Sequence, residues 1–515
     1  MSKNPKDEEI DDSLKIVART SVFVFIILLL SKVLFYFYRI VIARNFGPAM
    51  YGTFSLASII FSLTIALSSF GFFEGLTRFI PLYRGTKEIN NVKYIFRFSI
   101  FILTLSSLFF GVILFFSSEF VSINIFHEPN LIIFLKILAV ALPFFVMSSV
   151  FLYLIKGFEK IKMHSFLSEF FQTLVKLISI LLLIFFGTKS NAVPLSYFFG
   201  VLFLFLVAYF YCRYKLPQVF ERYILKKEAK RQIRKKLFLY SVPLIFSNLL
   251  YNLFGYMDSS VIGLLKDSYN VGIYNAAFPV ASLLAFVPSL FMQTLFPMII
   301  REFSEKKVEL VRELSKQIQK WILIINLPFF SLMFLFSGAF INLLFGPQYI
   351  AAEQALRILS IGFLFYSLSQ ILENLILVLG KSKIFLINII ILSIFNLVLN
   401  VLLIPKYGIS GAAFSTTISY IALAIILFFQ VKHYINIVPI RRKMFQILIS
   451  VAIPSLILIY VRQFFQINLA SMILLGSFFI LLYILLIFLT RSLDRNDFEI
   501  LRIFKRKFTR KKDLA

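Results

Sequence analysis

The sequence predicts an all-α integral membrane protein of about fourteen transmembrane helices, built as two six-helix lobes in a parallel pseudo-two-fold repeat plus a C-terminal helix pair. Three observations carry this: the composition, the recurrence of apolar runs about 20 residues long, and the alternation of Lys and Arg between the segments joining them. The 515 residues are 60% hydrophobic and 15% charged, whereas soluble domains have roughly 45–50% apolar and about 25% charged residues. Each run is long enough to cross a ~30 Å hydrocarbon core as a helix, which satisfies its own backbone polar groups without water.

In chain order, residues 1–19 form a polar tail with Asp7, Glu8, Glu9, Asp11 and Asp12. It lacks the basic start of a cleavable signal peptide, so the first span is expected to stay in the mature protein. The first lobe (20–213) is read as spans at 20–43, 53–80, 96–117, 131–154, 166–187 and 193–213. A basic linker, 214–236, follows. The second lobe (237–431) has spans at 237–264, 273–299, 319–342, 355–379, 384–404 and 410–431. An extra helix pair (443–490) occupies 443–462 and 468–490, and a basic tail (491–515) ends the chain.

Charge supports this order. With the N-terminus inside, inner segments hold about 42 of the 53 Lys and Arg, ten of them between Arg213 and Lys236 and nine in the tail. The outer segments hold only Arg44, Lys189, Lys266, Lys406 and Arg462. Missing or inventing one span would scramble the alternation, so both termini are expected in the cytoplasm and the chain in the plasma membrane. The net charge of +28 would suggest nucleic acid in a soluble protein. Here it belongs to cytoplasmic loops, so membrane lipids, and no nucleic acid, are the expected partners. The tail could hold anionic lipid or simply set topology. The lone Cys212 excludes an internal disulfide framework and a cysteine metal site. The three His (His127, His164, His433) are too far apart to bind a metal together.

Two copies are visible in the chain. Tyr51-Gly52-Thr-Phe-Ser-Leu-Ala, opening span two, resembles Val271-Gly272-Ile-Tyr-Asn-Ala-Ala, opening span eight, at an offset of 220 residues. Leu154-Ile-Lys-Gly157 resembles Leu377-Val-Leu-Gly380 at a similar offset. Six spans per copy is an even number, so the copies lie parallel, as suits alternating access around a midplane site.

Charged groups inside spans are costly and mark candidate sites. Lys32, Tyr36 and Arg39 fall on one face of span one, which lines a cavity or snorkels to the interface. Arg78, Lys136, Lys176 and Arg357 are further basic residues within spans. Glu74 and Arg78 are spaced i, i+4, as are Glu353 and Arg357, and either pair could neutralise itself. Span seven carries a polar stripe of Asn248, Tyr251, Asn252, Gly255, Asp258 and Ser259. Asp258 has no cation within a turn and needs a tertiary partner, water or a proton. Span five repeats the idea with Glu169, Gln172, Thr173 and Lys176, and span ten with Tyr366, Ser369, Gln370 and Glu373. In span eleven, Ser393, Asn396 and Asn400 either bond neighbouring helices or line the cavity. Lys32, Arg39, Arg78 and Lys176 are the expected substrate cations, and Asp258, Glu74 and Glu373 the expected gating or coupling groups. Tyr36, Asn248, Asn252, Asn396 and Asn400 complete the polar lining.

Catalytic motifs are not found. Gly380-Lys381-Ser382 resembles the end of a phosphate-binding loop, but position 375 is Leu where the motif needs Gly. The outer loops leave no room for the acidic catalytic loop of an integral-membrane glycosyltransferase or polymerase. No enzyme, metal or cofactor is expected.

Ala43-Arg-Asn-Phe-Gly-Pro-Ala-Met-Tyr-Gly52 resembles the first-loop signature of the polysaccharide (O-antigen type) flippases, of the multidrug/oligosaccharidyl-lipid/polysaccharide exporter superfamily. So do Gly71-Phe-Phe-Glu-Gly-Leu-Thr-Arg-Phe-Ile-Pro81, Asp258-Ser-Ser-Val-Ile-Gly263, Val271 through Ala277, and Asn396 through Thr416. The resemblance runs from about residue 18 to 490 and rests on the order of these motifs. It implies a two-lobed transporter that flips a polyprenyl or dolichyl (pyro)phosphate oligosaccharide from the cytoplasmic to the outer leaflet; it does not imply the sugar, or whether a proton, sodium or the membrane potential drives transport. The cations of span one suit such a diphosphate, Arg through its bidentate fork. A multidrug antiporter of the same superfamily is one alternative, although it would want an acidic cavity; an integral-membrane polysaccharide polymerase or glycosyltransferase is the other. The offset maps Arg39 beside Asp258, so either the two pair across the lobes when the outer side is closed, as a gate, or Asp258 lines water or bonds a helix neighbour.

Overall fold

The computed structural model describes residues 5–188, 191–436, 441–465 and 468–493, with side chains left undescribed at 5–22, 246–248, 250–252, 293–295, 297–298 and 442. Lys189 and the tail beyond 493 lie outside the described residues. Among the described residues the regular structure is helical, and eleven helices are long and apolar enough to cross a membrane. Two of these eleven are double. Pro5–Ser68 (α1) turns at Gly47, whose φ of 77° and ψ of 177° are not helical. Glycine takes that conformation without strain, and Pro48 restarts the helix with its φ fixed and no N–H to leave unpaired. Ser382–Ile435 (α14) turns in the same way at Gly408. Spans one and two, and spans eleven and twelve, are thus each written as one helix with a corner. The count of fourteen stands as an expectation.

By contact the chain divides into Met1–Gly272 and Ile273–Ala515. The repeat boundary expected at 214–236 concerns sequence copies; this division concerns packing, and it places the helix of span seven with the first six. After α1 the first unit contains Phe72–Gly85 (α2), Ile89–Phe120 (α3), Asn130–Gly157 (α4), Ile161–Ser165 (α5), Gln172–Phe185 (α6), Ala192–Lys215 (α7) and Lys227–Leu265 (α8). Helix α8 packs on α1 and α2. Span two, expected as one helix, breaks at Phe70 and Gly71, both at positive φ, and resumes as α2. Span five opens with a π-helical stretch, Phe166–Phe171. Such a stretch widens one turn and commonly accompanies a functional site. The core of this unit is carried by fully buried Ile42, Leu56, Phe61, Phe72, Leu76 and Leu135.

The second unit begins within Ser268–Ser282 (α9) and continues with Phe286–Ser304 (α10), Val308–Leu335 (α11), Ser337–Phe345 (α12), Ala352–Val378 (α13), α14, Arg442–Val461 (α15) and Leu469–Leu489 (α16). Span eight is interrupted by a 3-10 turn at Leu283–Ala285. The carbonyls this releases are taken by side-chain amides. Asn326 Nδ2 donates to Leu284 O at 2.7 Å and Gln370 Nε2 to Ala285 O at 3.2 Å. In hydrocarbon, broken helix backbone persists only where protein satisfies it in this way. The extra pair is fastened to α11 by Leu323, Leu327, Ile447, Leu458, Leu475 and Phe479. Tyr483 OH donates to Ile324 O at 2.7 Å and Arg462 Nη1 to Leu335 O at 2.6 Å. The arginine meets the last carbonyls of α11, where the helix dipole favours a cation.

Candidate functional site

The cations expected from span one lie on α1. Lys32 is exposed, with its ammonium 5.9 Å from the Phe35 ring centroid, and Tyr36 is half-buried. The half-buried Arg39 guanidinium sits between two rings, 5.2 Å from Phe35 and 5.6 Å from Tyr51. Its Nε is buried without a hydrogen-bond partner among the described residues. Tyr51, fully buried, stacks on Phe54, which meets Tyr38 edge-on at 6.0 Å. The Tyr38 hydroxyl is 2.9 Å from Ser196 Oγ on α7. One face of α1 is therefore fastened to α7, while the face bearing Arg39 offers charge.

Lys176 on α6 follows the same rule. Its ammonium lies 3.6 Å over the centre of the Tyr197 ring. Gly200 makes room for the stem, since a Cβ there would overlap Lys176 Cγ. Arg78 on α2 is exposed and stacks on Tyr240 at 4.4 Å and Phe79 at 5.8 Å. It does not pair with Glu74, one turn away. Lys136 lies 5.5 Å from the Phe115 ring. Among the described residues, none of these five in-span cations of the first unit has a carboxylate in ion-pair range, and all five rest on aromatic faces. In the second unit Arg357 behaves differently, pairing with Glu353 at 2.6 Å. That pair does neutralise itself.

The difference decides what each group can do. A salt bridge consumes the positive charge, whereas a ring stabilises a desolvated cation by up to ~2 kcal/mol and leaves it charged. Among the described residues, these five side chains are therefore not neutralised by a carboxylate.

Of the expected acidic groups, Glu74 is half-buried, and it and Glu169 lie within electrostatic reach of Tyr153. Asp258 is 7% exposed on α8, beside Ser259. Arg39 is not its partner here. Glu373 is half-buried on α13 and has no basic partner among the described residues. Asn396 Nδ2 reaches Thr416 Oγ1 at 3.4 Å, and Asn400 Nδ2 donates to Asn396 Oδ1 at 3.0 Å. These amides bond within the α14 hairpin. The side chains of Asn248, Tyr251 and Asn252 lie outside those described.

Sequence reasoning missed Tyr38, Ser196, Tyr197 and Gly200, because aromatic and small residues in an apolar helix look like lipid-facing or core positions. It also missed what the repeated glycines do. A Cβ on Gly52 would overlap Ser268 O, and one on Gly272 would overlap Pro48 O. The repeat offset maps Pro48 to Ser268 and Gly52 to Gly272, so each copy presents the same two positions to the other. Ser268 Oγ also donates to the Glu128 carboxylate, and Gly263 lies against Leu56 and Phe126.

Helix order, broken spans and in-span cations define a multi-pass helical membrane protein. The chain belongs to the polysaccharide biosynthesis protein family, which it matches over residues 17–303; it also matches the MatE family over 243–402. It is 26% identical over 400 residues to an uncharacterized membrane protein of Methanocaldococcus jannaschii, covering 75% of this chain and 78% of that one. It is likewise 26% identical over 398 residues to the putative O-antigen transporter of Shigella flexneri, covering 75% and 90%. The lipid II flippase MurJ, in its inward closed conformation, superposes with a TM-score of 0.70 at 17% identity, over 92% of this chain and 99% of that one. That likeness shows a shared fold.

Proposed function

We propose that the chain flips a lipid-linked oligosaccharide, carried on a polyprenyl or dolichyl phosphate or diphosphate, from the cytoplasmic to the outer leaflet for surface polysaccharide or glycan biosynthesis. The observation that carries this reading is the set of ring-seated cations without carboxylate partners. A lipid diphosphate crossing hydrocarbon needs compensating charge that is not already spent, and Lys32, Arg39, Arg78 and Lys176 supply it. The names of the relatives, an O-antigen transporter and a lipid II flippase, support the same substrate class. The expected placement is the cell membrane with both termini in the cytoplasm, which puts Gly52 and Gly272 at the outer end and Arg78 at the inner end. Asp258, Glu74 and Glu373 are the groups through which a proton or sodium would couple, and no catalytic role is assigned to any residue.

The test is reconstitution in liposomes with a fluorescent lipid-linked oligosaccharide, scoring its exposure to an impermeant quencher. Transport-dependent change in accessibility supports the reading. The match to MatE over 243–402 favours one second reading, multidrug antiport, which the same vesicles test with a cationic dye. Dye movement without movement of the lipid would replace the first reading with the second.

A further inference from the structure

The basic linker between the repeat copies is not a slack tether. Leu216–Lys226 is clamped to the end of α3. Arg97 Nη2 donates to both Phe220 O at 2.6 Å and Glu221 O at 2.8 Å. Lys93, only 6% exposed, pairs with the Glu221 carboxylate at 3.0 Å. The Phe220 ring packs on Phe96, 5.7 Å away, and on Tyr209. Tyr223 meets Tyr94 at 5.6 Å and lies under Arg97 and Lys230. Helix α8 then starts at Lys227 and runs without interruption into its apolar half.

What this clamp holds up is charge. From Arg213 to Lys236 there are ten Lys and Arg against two acids, Glu221 and Glu228, and Glu221 is already engaged by Lys93. Arg222, Lys226, Lys227, Arg231 and Lys235 are exposed. Beside them stand Tyr214 and Ile224, 77% and 88% exposed. A topology signal needs only the charges. It does not need a fixed backbone, and it does not explain an isoleucine held out among lysines where α7 ends and α8 begins. Apolar side chains interleaved with cations at a helix end are the pattern of a surface that enters the headgroup layer.

We propose that the clamped strap and the first turns of α8 form a docking surface for anionic phospholipid headgroups, with Ile224 and Tyr214 dipping into the interface and the exposed cations meeting lipid phosphates. Charge complementarity selects an anionic bilayer over a neutral one, and continuity with α7 and α8 selects a bilayer over a soluble polyanion. The surface would tie the start of span seven to the lipid composition of its leaflet, whatever the transported substrate.

The experiment uses the full purified chain in nanodiscs of phosphatidylcholine, with or without phosphatidylglycerol. Cys212→Ala removes the single native thiol, and Ile224→Cys carries an environment-sensitive fluorophore. The expected result is a blue shift and loss of quencher access in the phosphatidylglycerol discs alone, reversed by high salt. Arg222→Gln with Lys226→Gln and Arg231→Gln should abolish the shift. Arg97→Ala, which keeps every exposed cation but frees the strap, should weaken it. Identical emission in the two lipids would overturn the proposal, as would a phosphatidylglycerol shift unchanged by the three Gln substitutions. A shift produced in neutral discs by a soluble polyanion, and not by phosphatidylglycerol, would assign the surface to a macromolecular partner instead. None of these readouts requires transport, so failure of the flippase reading would leave them unaffected.

Discussion

Gly52 and Gly272, at equivalent points of the two repeat copies, meet backbone to backbone: the carbonyl of Ser268 fills the space a Gly52 side chain would need, and that of Pro48 does the same for Gly272. A side chain at either position would have to push one helix start away from the other. Gly52→Val and Gly272→Val are expected to separate these ends, at a cost of about 1–3 kcal/mol for an overpacked contact that backbone atoms cannot relieve. Cross-linking between cysteines placed at Ala49 and Tyr269 should fall in both variants. Gly85→Ala is the control, because a Cβ there meets nothing within 4 Å. Unchanged cross-linking in the Val variants would show that the contact can relax.

Lys32→Ala and Arg39→Ala are each expected to reduce flipping at least tenfold, a transition-state loss of about 1.4 kcal/mol, with membrane insertion intact. Arg39→Lys should not restore full rate, since a point charge replaces a planar fork that stacks between two rings. The measurement is initial rate in proteoliposomes normalised to inserted protein. Full transport by the double Ala variant would move the work to Arg78 or Lys176.

Lys176 offers a separation of charge from position. Gly200→Ala leaves the ammonium in place but intrudes on its stem, and Tyr197→Leu removes the ring beneath it. The ring is worth up to ~2 kcal/mol to a desolvated cation. Both variants are expected to slow flipping several-fold while Lys176→Met stops it. If Lys176→Met transports normally, the lysine is structural.

The pairing of Arg39 with Asp258 is expected to contribute nothing to the conformation described here. Arg39 is held by Phe35 and Tyr51 while Gly52 and Gly272 are in contact. In a double-mutant cycle of Arg39→Asp and Asp258→Arg, read by the same cross-link, the coupling energy should stay below about 0.5 kcal/mol, as for independent sites. A larger coupling would reinstate the ion pair as part of the closure.

Much of this was legible in the chain because the bilayer imposes strong rules. Apolar runs and the cost of Lys32, Arg39 and Lys176 within them both follow from one solvent property, low polarity. The self-neutralising pair Glu353–Arg357 was legible as well, from its i, i+4 spacing. Glu74–Arg78 has the same spacing, but the Arg78 guanidinium lies over the ring of Tyr240, distant in sequence. Tertiary context decides between two local options that look identical. The breaks at Gly71 and at Leu283–Ala285 were missed for a related reason. The apolar periodicity continues through them, and what permits the second is a pair of amides, Asn326 and Gln370, on other helices.

The seating of cations on rings bears on how the chain is made. A charged side chain near the centre of an isolated span costs roughly 2.5–3.5 kcal/mol on entering the bilayer. Arg39 carries Phe35 one turn away on its own helix, so part of its shelter arrives with it during synthesis. Lys176 has no such companion. Its ring, Tyr197, is translated later, on the following span. Spans five and six should therefore leave the insertion machinery as a hairpin, and a chain truncated before Ala192 should retain span five poorly. Moving an aromatic residue to position 172 or 173 would let that span insert alone.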